Sequence, residues 1–251
     1  MSITAVVVTH GPDPDLERCL VALAPQVDEL LLVANLPLDV ELPEHARKIV
    51  NERPLGFGAN VNRAIAETTG EFVVIANPDA VAMPGAVGVL HDFVVGHPRC
   101  GIAGPQLRYP DKRWQPSRRR FPTVGGTLVR RTPLRYVLRP FERQRDHYLL
   151  DERPNEPVKA DWMLAAFLIV RREMLRELGG FDEHFRLYGE DIDICYRAAK
   201  AGWERWYVPQ AVVTHRYAAE IDRRLLTRRT LWHWRGVARF VRKHPERLRA
   251  L

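Results

Sequence analysis

The chain has 251 residues, 46% of them hydrophobic and 27% charged, with a formal net charge of +7. That composition describes a soluble globular protein with a sizeable core, and no apolar run approaches the roughly 20 residues that span a bilayer. Three scattered cysteines, Cys19, Cys100 and Cys195, lack any CxxC spacing, which argues against a structural zinc site and for a reducing compartment.

The stretch from Met1 has no basic start or cleavage site and reads as a buried strand, Ile3–Val8, not a signal peptide. Leu30–Val33 and Phe72–Ala76 are further apolar runs of strand length. Between them, Asp15–Leu23 and Ala59–Thr68 carry helical spacing, with Gly70 predicted to cap the second. This alternation predicts an α/β fold, a parallel sheet with helices on both faces. Ligands of such sheets bind beyond the carboxyl ends of the strands, so Thr9-His10-Gly11, Ala34-Asn35 and Asn77-Pro78-Asp79 become the candidate site. A helix over 84–97 starts at Pro84, and Gly101–Gly104 predicts a short strand. From 108 to 157 the periodicity fades into an irregular basic insert, with a short helix predicted about Leu134–Phe141. Trp162–Arg171 then reads as a strand, Glu173–Leu178 as a helix, and Tyr207-Val208 and Val212–Thr214 as strands. We read residues 1–220 as one domain and 221–251 as a helical tail.

Four places could carry chemistry. The segment Gly179–Asp193 gathers five acidic residues around glycines and aromatics and runs into a helix. It is either an N-capped surface helix, since carboxylates favour a helix start, or a catalytic base held there. Asp79, just past an apolar strand, supplies the hard oxygen that suits Mg²⁺ or Mn²⁺, although Asn-Pro-Asp is also an ordinary turn. Gly56 and Gly58 precede a helix start whose free N–H groups suit an anion, or form a plain glycine loop. His215 ends an apolar run, as a metal ligand or as a polar terminus.

Taken in order, TH, GFGANVN, ANPDA, DWMLAAFLIVRRE, GGFDEHFRLYGEDIDICYRA and VTHR make the chain resemble family 2 glycosyltransferases of the GT-A fold, over about residues 3 to 217. Rhamnosyltransferase-like bacterial members that build cell-surface polysaccharides are the most similar. The resemblance implies a Rossmann-like, mixed but mainly parallel sheet flanked by helices. It implies that Asp79 ligates Mg²⁺ or Mn²⁺ with the donor diphosphate, that Asn77 lies near the donor ribose, and that His215 completes the metal site. Thr9, Asn35, Gly56 and Asn60 fall on the donor side. Asp161 and Trp162 fall on the acceptor side, where the indole could stack on a sugar. Glu190 and Asp191 form the acceptor-side acidic pair, with Asp191 as general base in an inverting displacement. The implied donor is a nucleotide sugar, dTDP-rhamnose first, with galactofuranose, mannose or another hexose as alternatives. The implied acceptor is a lipid-linked sugar or polysaccharide. Ala34 departs from the Asp usual there, and His10 replaces a commoner Tyr.

Charge is concentrated in two places. Residues 108–145 hold twelve Lys/Arg against two Asp/Glu, and residues 221–251 hold ten against two, leaving the rest of the chain acidic. The tail mixes Leu225, Leu226, Leu231, Trp232, Trp234 and Phe240 with arginines. It is either an interfacial helix on an anionic membrane or a helix packed on the domain with its charges outward. The expected location is cytoplasmic, with peripheral contact to the inner face of the cell membrane. An arginine-rich nucleic-acid-binding module is the reading from another class, but it leaves the acidic loops unexplained.

Overall fold

The structure, a computed structural model, describes residues 1–121, 149, 152–186, 188–216 and 228–249. The helix expected about Leu134–Phe141 and residues 221–227 of the tail lie outside these. Among the described residues, twelve strands run in chain order: β1 (Ile3–Thr9), β2 (Glu29–Ala34), β3 (Ala46–Val50), β4 (Phe72–Ala76), β5 (Ala80–Ala82), β6 (Cys100–Arg108), β7 (Trp114–Gln115), β8 (Arg118–Arg119), β9 (Val158–Lys159), β10 (Trp162–Met163), β11 (Phe167–Arg171) and β12 (Glu204–His215). The helices are α1 (Leu16–Leu23), α2 (Phe57–Ala66), α3 (Ala86–Gly96), α4 (Arg172–Leu178), α5 (Glu190–Lys200) and α6 (Arg228–Lys243).

The main sheet has the order β3-β2-β1-β4-β11-β6-β12-β5, with β7 beside β6 and β9 beside β12. Its β3-β2-β1-β4 half is wholly parallel. β11 runs antiparallel to both β4 and β6, and β12 parallel to β6, so the sheet is mixed. Both faces of β1, β2 and β4 are buried, which is why these strands read as unbroken apolar runs. Ala5, Val7, Leu30, Leu32, Phe72 and Val74 point to one face, beneath Leu16 and Leu20 of α1 and Leu90 and Val94 of α3. Their neighbours Val6, Val8, Leu31, Val33, Val73 and Ile75 point to the other, beneath Val61 of α2, Leu175 of α4 and Ile194 of α5. The two-residue period of the strands thus feeds two cores.

Several sequence expectations need correction. Gly70 does not cap α2, whose C-cap is Glu67. It crosses against β1 instead, where a Cβ would come within 2.5 Å of Thr4 Oγ1. The run Trp162–Arg171 is not one strand but β10 and β11, separated by residues 164–166. Tyr207-Val208 and Val212–Thr214 belong to one strand, β12, bulged between Val208 and Val212. The described ends of the 108–157 insert are not irregular, because β7, β8 and β9 pair with β6, β10 and β12. Short two-residue pairings leave no periodicity to read.

α6 lies against the domain. Asp182 accepts Arg239 at 2.7 and 2.8 Å and Lys243 at 2.8 Å. Asp193, wholly buried, accepts Lys243 at 3.0 Å, His244 at 2.8 Å and its own helix's Arg197 at 2.7 Å. Removing one partner from a buried ionic cluster typically costs about 3–5 kcal/mol, so this contact is a structural element of the fold. These two tail cations are committed internally, which also subtracts from any nucleic-acid surface. No helix among the described residues is long and apolar enough to cross a membrane.

Candidate active site at the carboxyl ends of the strands

Strands β1, β2, β3 and β4 end together, presenting Thr9, Asn35, Asn51 and Asn77 along one edge of the sheet. Asn77-Pro78-Asp79 is a turn and a presentation device at once. The Ala80 amide closes the turn on the Asn77 carbonyl at 3.1 Å, and Asp79 is left at the strand tip. Asp79 Oδ1 lies 3.4 Å from His215 Nε2, brought there by the pairing of β12 with β5 that sets His215 opposite Ala80. His215 Nδ1 meets Gln115 Oε1 on β7 at 2.8 Å, which orients the ring. Burial pushes the Asp79 carboxyl up, but the hydrogen bond and charge of His215 and the charge of Arg216 outweigh it. Its pKa lies below the ordinary value.

A carboxylate and an imidazole fit two positions of a Mg²⁺ or Mn²⁺ shell, with the remainder open to phosphate oxygens and water. Among the described residues no group of three or more His, Cys, Asp or Glu forms a complete cage. Arg216 is turned away into a fork, donating to Asp13 at 2.7 and 2.8 Å and to Asp15 at 2.8 Å, so it ties the loop after β1 to the end of β12.

Beside this centre, four residues form a closed amide network. Asn35 Oδ1 accepts from Asn51 Nδ2 at 2.7 Å, the Leu55 amide at 2.9 Å and Asn60 Nδ2 at 3.2 Å. Asn35 Nδ2 donates to the Leu55 carbonyl at 3.0 Å and meets His10 Nδ1. Asn51 also donates to Asn60 at 2.6 Å and accepts from Arg63 at 2.5 Å. Asn35 and Asn60 are therefore engaged with the protein, where they fix the loop before α2. Gly56 sits there because a Cβ would come within 2.9 Å of the Phe185 carbonyl and 3.1 Å of that of Arg186. Thr9 Oγ1 bonds the Gly11 carbonyl at 2.5 Å and holds the turn after β1.

The second centre is the start of α5. Of the five acids in the Gly179–Asp193 segment, Asp182 and Asp193 hold α6, and Glu183 accepts from Asn62 at 3.0 Å. Glu190 and Asp191 remain. Gly189 opens the helix at φ +101°, a conformation that favours glycine. Glu190 is 8% exposed, and its Oε2 has no hydrogen-bond partner among the described residues. Burial raises the Glu190 carboxyl, and the charge of Asp191 beside it raises it further. Burial also raises the half-buried Asp191, while the Ile192 amide at 2.9 Å, Arg119 and the Ala165 backbone pull it part of the way back.

The two centres meet at residues 164–166. The Ala165 backbone bonds the Asp191 carboxylate, and the Ala166 carbonyl accepts the Asn77 amide at 2.9 Å. One residue apart, they tie the base candidate to the metal-ligand candidate.

Two acceptor-side expectations change. Trp162 offers no open face for a sugar: it is 4% exposed, donates to the Arg120 carbonyl at 2.8 Å and lies under the Arg119 guanidinium at 5.1 Å. Asp161 accepts the Phe121 amide at 2.8 Å and thereby anchors the start of the insert. Sequence reasoning missed Asn51, Gln115 and Arg119 as members of these centres. Arg119 stood in a visible arginine run, whereas nothing local marks Gln115.

A profile of the family described as glycosyltransferase like family 2 matches residues 4–233. N-acetylglucosaminyl-diphospho-decaprenol L-rhamnosyltransferase of Mycobacterium tuberculosis is 32% identical over 88% of this chain and 78% of its own. Rhamnosyltransferase WbbL of Escherichia coli is 33% identical over a shorter stretch, 32% of this chain and 30% of its own. Among solved structures, GalNAc-T7 with UDP, GalNAc and Mn²⁺ superposes with a TM-score of 0.66 at 17% identity, over 86% of this chain and 43% of that one. Glucosyl-3-phosphoglycerate synthase of M. tuberculosis, with Mn²⁺, UDP and phosphoglyceric acid, gives 0.56 at 19% identity, over 89% and 75%. These structures share the GT-A fold with this chain.

Proposed function

The chain belongs to glycosyltransferase family 2, and we propose that it is an inverting, metal-dependent transferase moving rhamnose from dTDP-rhamnose to a hydroxyl of a lipid-linked or polysaccharide acceptor. The observation that carries this reading is the opposed electrostatics of two carboxylate centres joined through residues 164–166. One is held ionised, as a cation ligand must be; the other is held with raised proton affinity, as a base requires. The sugar and the lipid-linked acceptor follow the mycobacterial relative, whose name specifies both.

In this mechanism the acceptor oxygen forms a bond to the anomeric carbon while Asp191 takes its proton. The bond from that carbon to the diphosphate breaks on the opposite face, and its electron pair leaves with the nucleoside diphosphate. One displacement inverts the configuration. Two carboxyls side by side resist double ionisation, so the charge of Asp191 keeps the proton on Glu190 while Asp191 is the one that ionises. Asp79 and His215 would hold Mg²⁺ or Mn²⁺, whose charge offsets that of the departing diphosphate. Thr9 and Asn77 face the donor from the strand ends, and Asn35, Gly56 and Asn60 hold the adjoining loop.

Contact with an anionic membrane is part of the same reading. Leu231, Arg235, Ala238 and Arg242 are exposed at intervals of three and four residues along the outer side of α6. Thermal stabilisation by a panel of nucleotide sugars, with and without Mn²⁺, tests the donor assignment. We expect the largest shift with dTDP-rhamnose plus cation; no shift with any nucleotide sugar overturns the assignment.

A further inference from the structure

The acidic segment and the C-terminal helix meet at the point where the proposed base is held. Tyr188 stands at φ +71° and Gly189 at φ +101°, so two consecutive left-handed residues deliver the chain into α5. This is a conformation that surrounding contacts must impose on a tyrosine. Those contacts come from α6 and Phe185. Gly236 of α6, itself buried, packs so closely on the Tyr188 carbonyl that any Cβ there would collide with the oxygen. The Phe185 ring covers Gly189, whose own Cβ position lies 3.0 Å from it. Half a turn beyond Asp191, Asp193 is gripped by Lys243 of α6, by His244 just past it and by Arg197 from α5. Farther along, Phe240 and His244 pack edge-on against Tyr196 at 5.7 and 4.7 Å, and Glu246 accepts Tyr196 Oη at 3.1 Å and Lys200 at 2.9 Å.

We propose that α6 is a strut for catalysis: Gly236 and the Asp193–His244–Lys243 cluster are positioning elements that fix the start of α5, and with it Asp191, against the Ala165 backbone. This rests on Asp191 being the base. The chemistry explains why the acid-rich segment carries more carboxylates than one reaction needs. Two of the five, Asp182 and Asp193, face the cations of α6, while Glu190 and Asp191 face inward. A base displaced by a fraction of its reach loses turnover without losing donor binding, since the donor is assigned to the Asp79 side.

The test uses the full chain with dTDP-rhamnose, Mn²⁺ and a lipid-diphosphate GlcNAc acceptor. It compares Gly236→Ala, His244→Leu, His244→Gln and Asp191→Asn at a temperature where circular dichroism shows each folded. We expect Gly236→Ala and His244→Leu to lower kcat by about 10- to 100-fold with donor KM little changed. His244→Gln, which keeps an amide donor for Asp193, recovers most of that loss. The acidic limb of the kcat profile moves to higher pH in Gly236→Ala, because Asp191 loses the backbone groups that pull its proton affinity down. If folded Gly236→Ala and His244→Leu both keep kcat within about twofold while Asp191→Asn is inactive, the strut is overturned and the base assignment stands. If Asp191→Asn itself turns over normally, the base assignment falls first.

Discussion

Asp79 and Asp191 stand at the two candidate centres, and the contrast between them is instructive. Both are aspartates just beyond or at the start of a regular element, and both are sheltered from water. Around Asp79 stand His215 and Arg216, and their charge and hydrogen bonding overcome the effect of burial. Around Asp191 stand a second carboxyl and apolar packing, with Arg119 and backbone groups in opposition, and burial wins. The same side chain has its proton affinity lowered in one place and raised in the other. Residue type alone does not carry that distinction; the partners do.

The contrast can be broken most severely at the base. Asp191→Asn should lower kcat by about 10²- to 10⁴-fold while calorimetry shows donor affinity largely kept. Near-normal turnover would remove Asp191 from the chemistry. At the other end, Asp79→Ala should erase the gain in donor affinity that Mn²⁺ confers; an undiminished gain would place the cation elsewhere.

Glu190→Gln sharpens the comparison because it puts an uncharged group beside the proposed base. Asp191 ionises while Glu190 still holds its proton, so the acidic limb of the kcat profile should stay in place, and a limb moved to lower pH would mean that Glu190 is the first of the pair to ionise. The same substitution bears on stability. A carboxyl raised in the folded state binds more protons there than in the unfolded chain. Stability is therefore lost as pH rises from the unfolded pKa through the folded one. Glu190→Gln should accordingly raise the melting temperature more at about pH 8.5 than at about pH 5.5. Asp79 has the reverse sign: its lowered pKa stabilises the fold above the unfolded value, and that contribution is lost as pH falls through the folded pKa. The smallest effect is expected from Arg235→Gln combined with Arg242→Gln. These should weaken co-sedimentation with phosphatidylglycerol-containing vesicles by a modest factor and leave turnover on a short-chain acceptor intact.

How much was legible varied with the range of the interaction. Strands β1, β2 and β4 of the parallel half were readable because each is buried on both faces, and such strands are written as continuous apolar runs. Phe72–Ala76 coincides with β4, while β1 and β2 extend their predicted runs by one or two residues. β3 was missed because as an edge strand it exposes Arg47, Lys48 and Val50. The break at residues 164–166 was invisible since its alanines are as apolar as the strands around it, yet it joins the two centres. Trp162 looked like a sugar platform because the family resemblance puts an aromatic before the acceptor-side strand. The fold instead spends its indole N–H on Arg120 and its face on Arg119.

The sequence by itself determined the buried strands β1, β2 and β4 with the helices that follow them, the strand-end positions of Thr9, Asn35 and Asp79, and the acidic start of α5. These follow from periodicity and composition within a few residues, so they are local and readable. Tertiary structure alone decided which carboxylates are free to act. Asp182 and Asp193 are turned to α6, some 50 residues later in the chain, and Asp79 meets His215 from a strand more than a hundred residues away. A carboxylate's proton affinity and availability depend on the charges and donors within a few ångströms of it, and those are gathered by folding, not by neighbourhood in sequence.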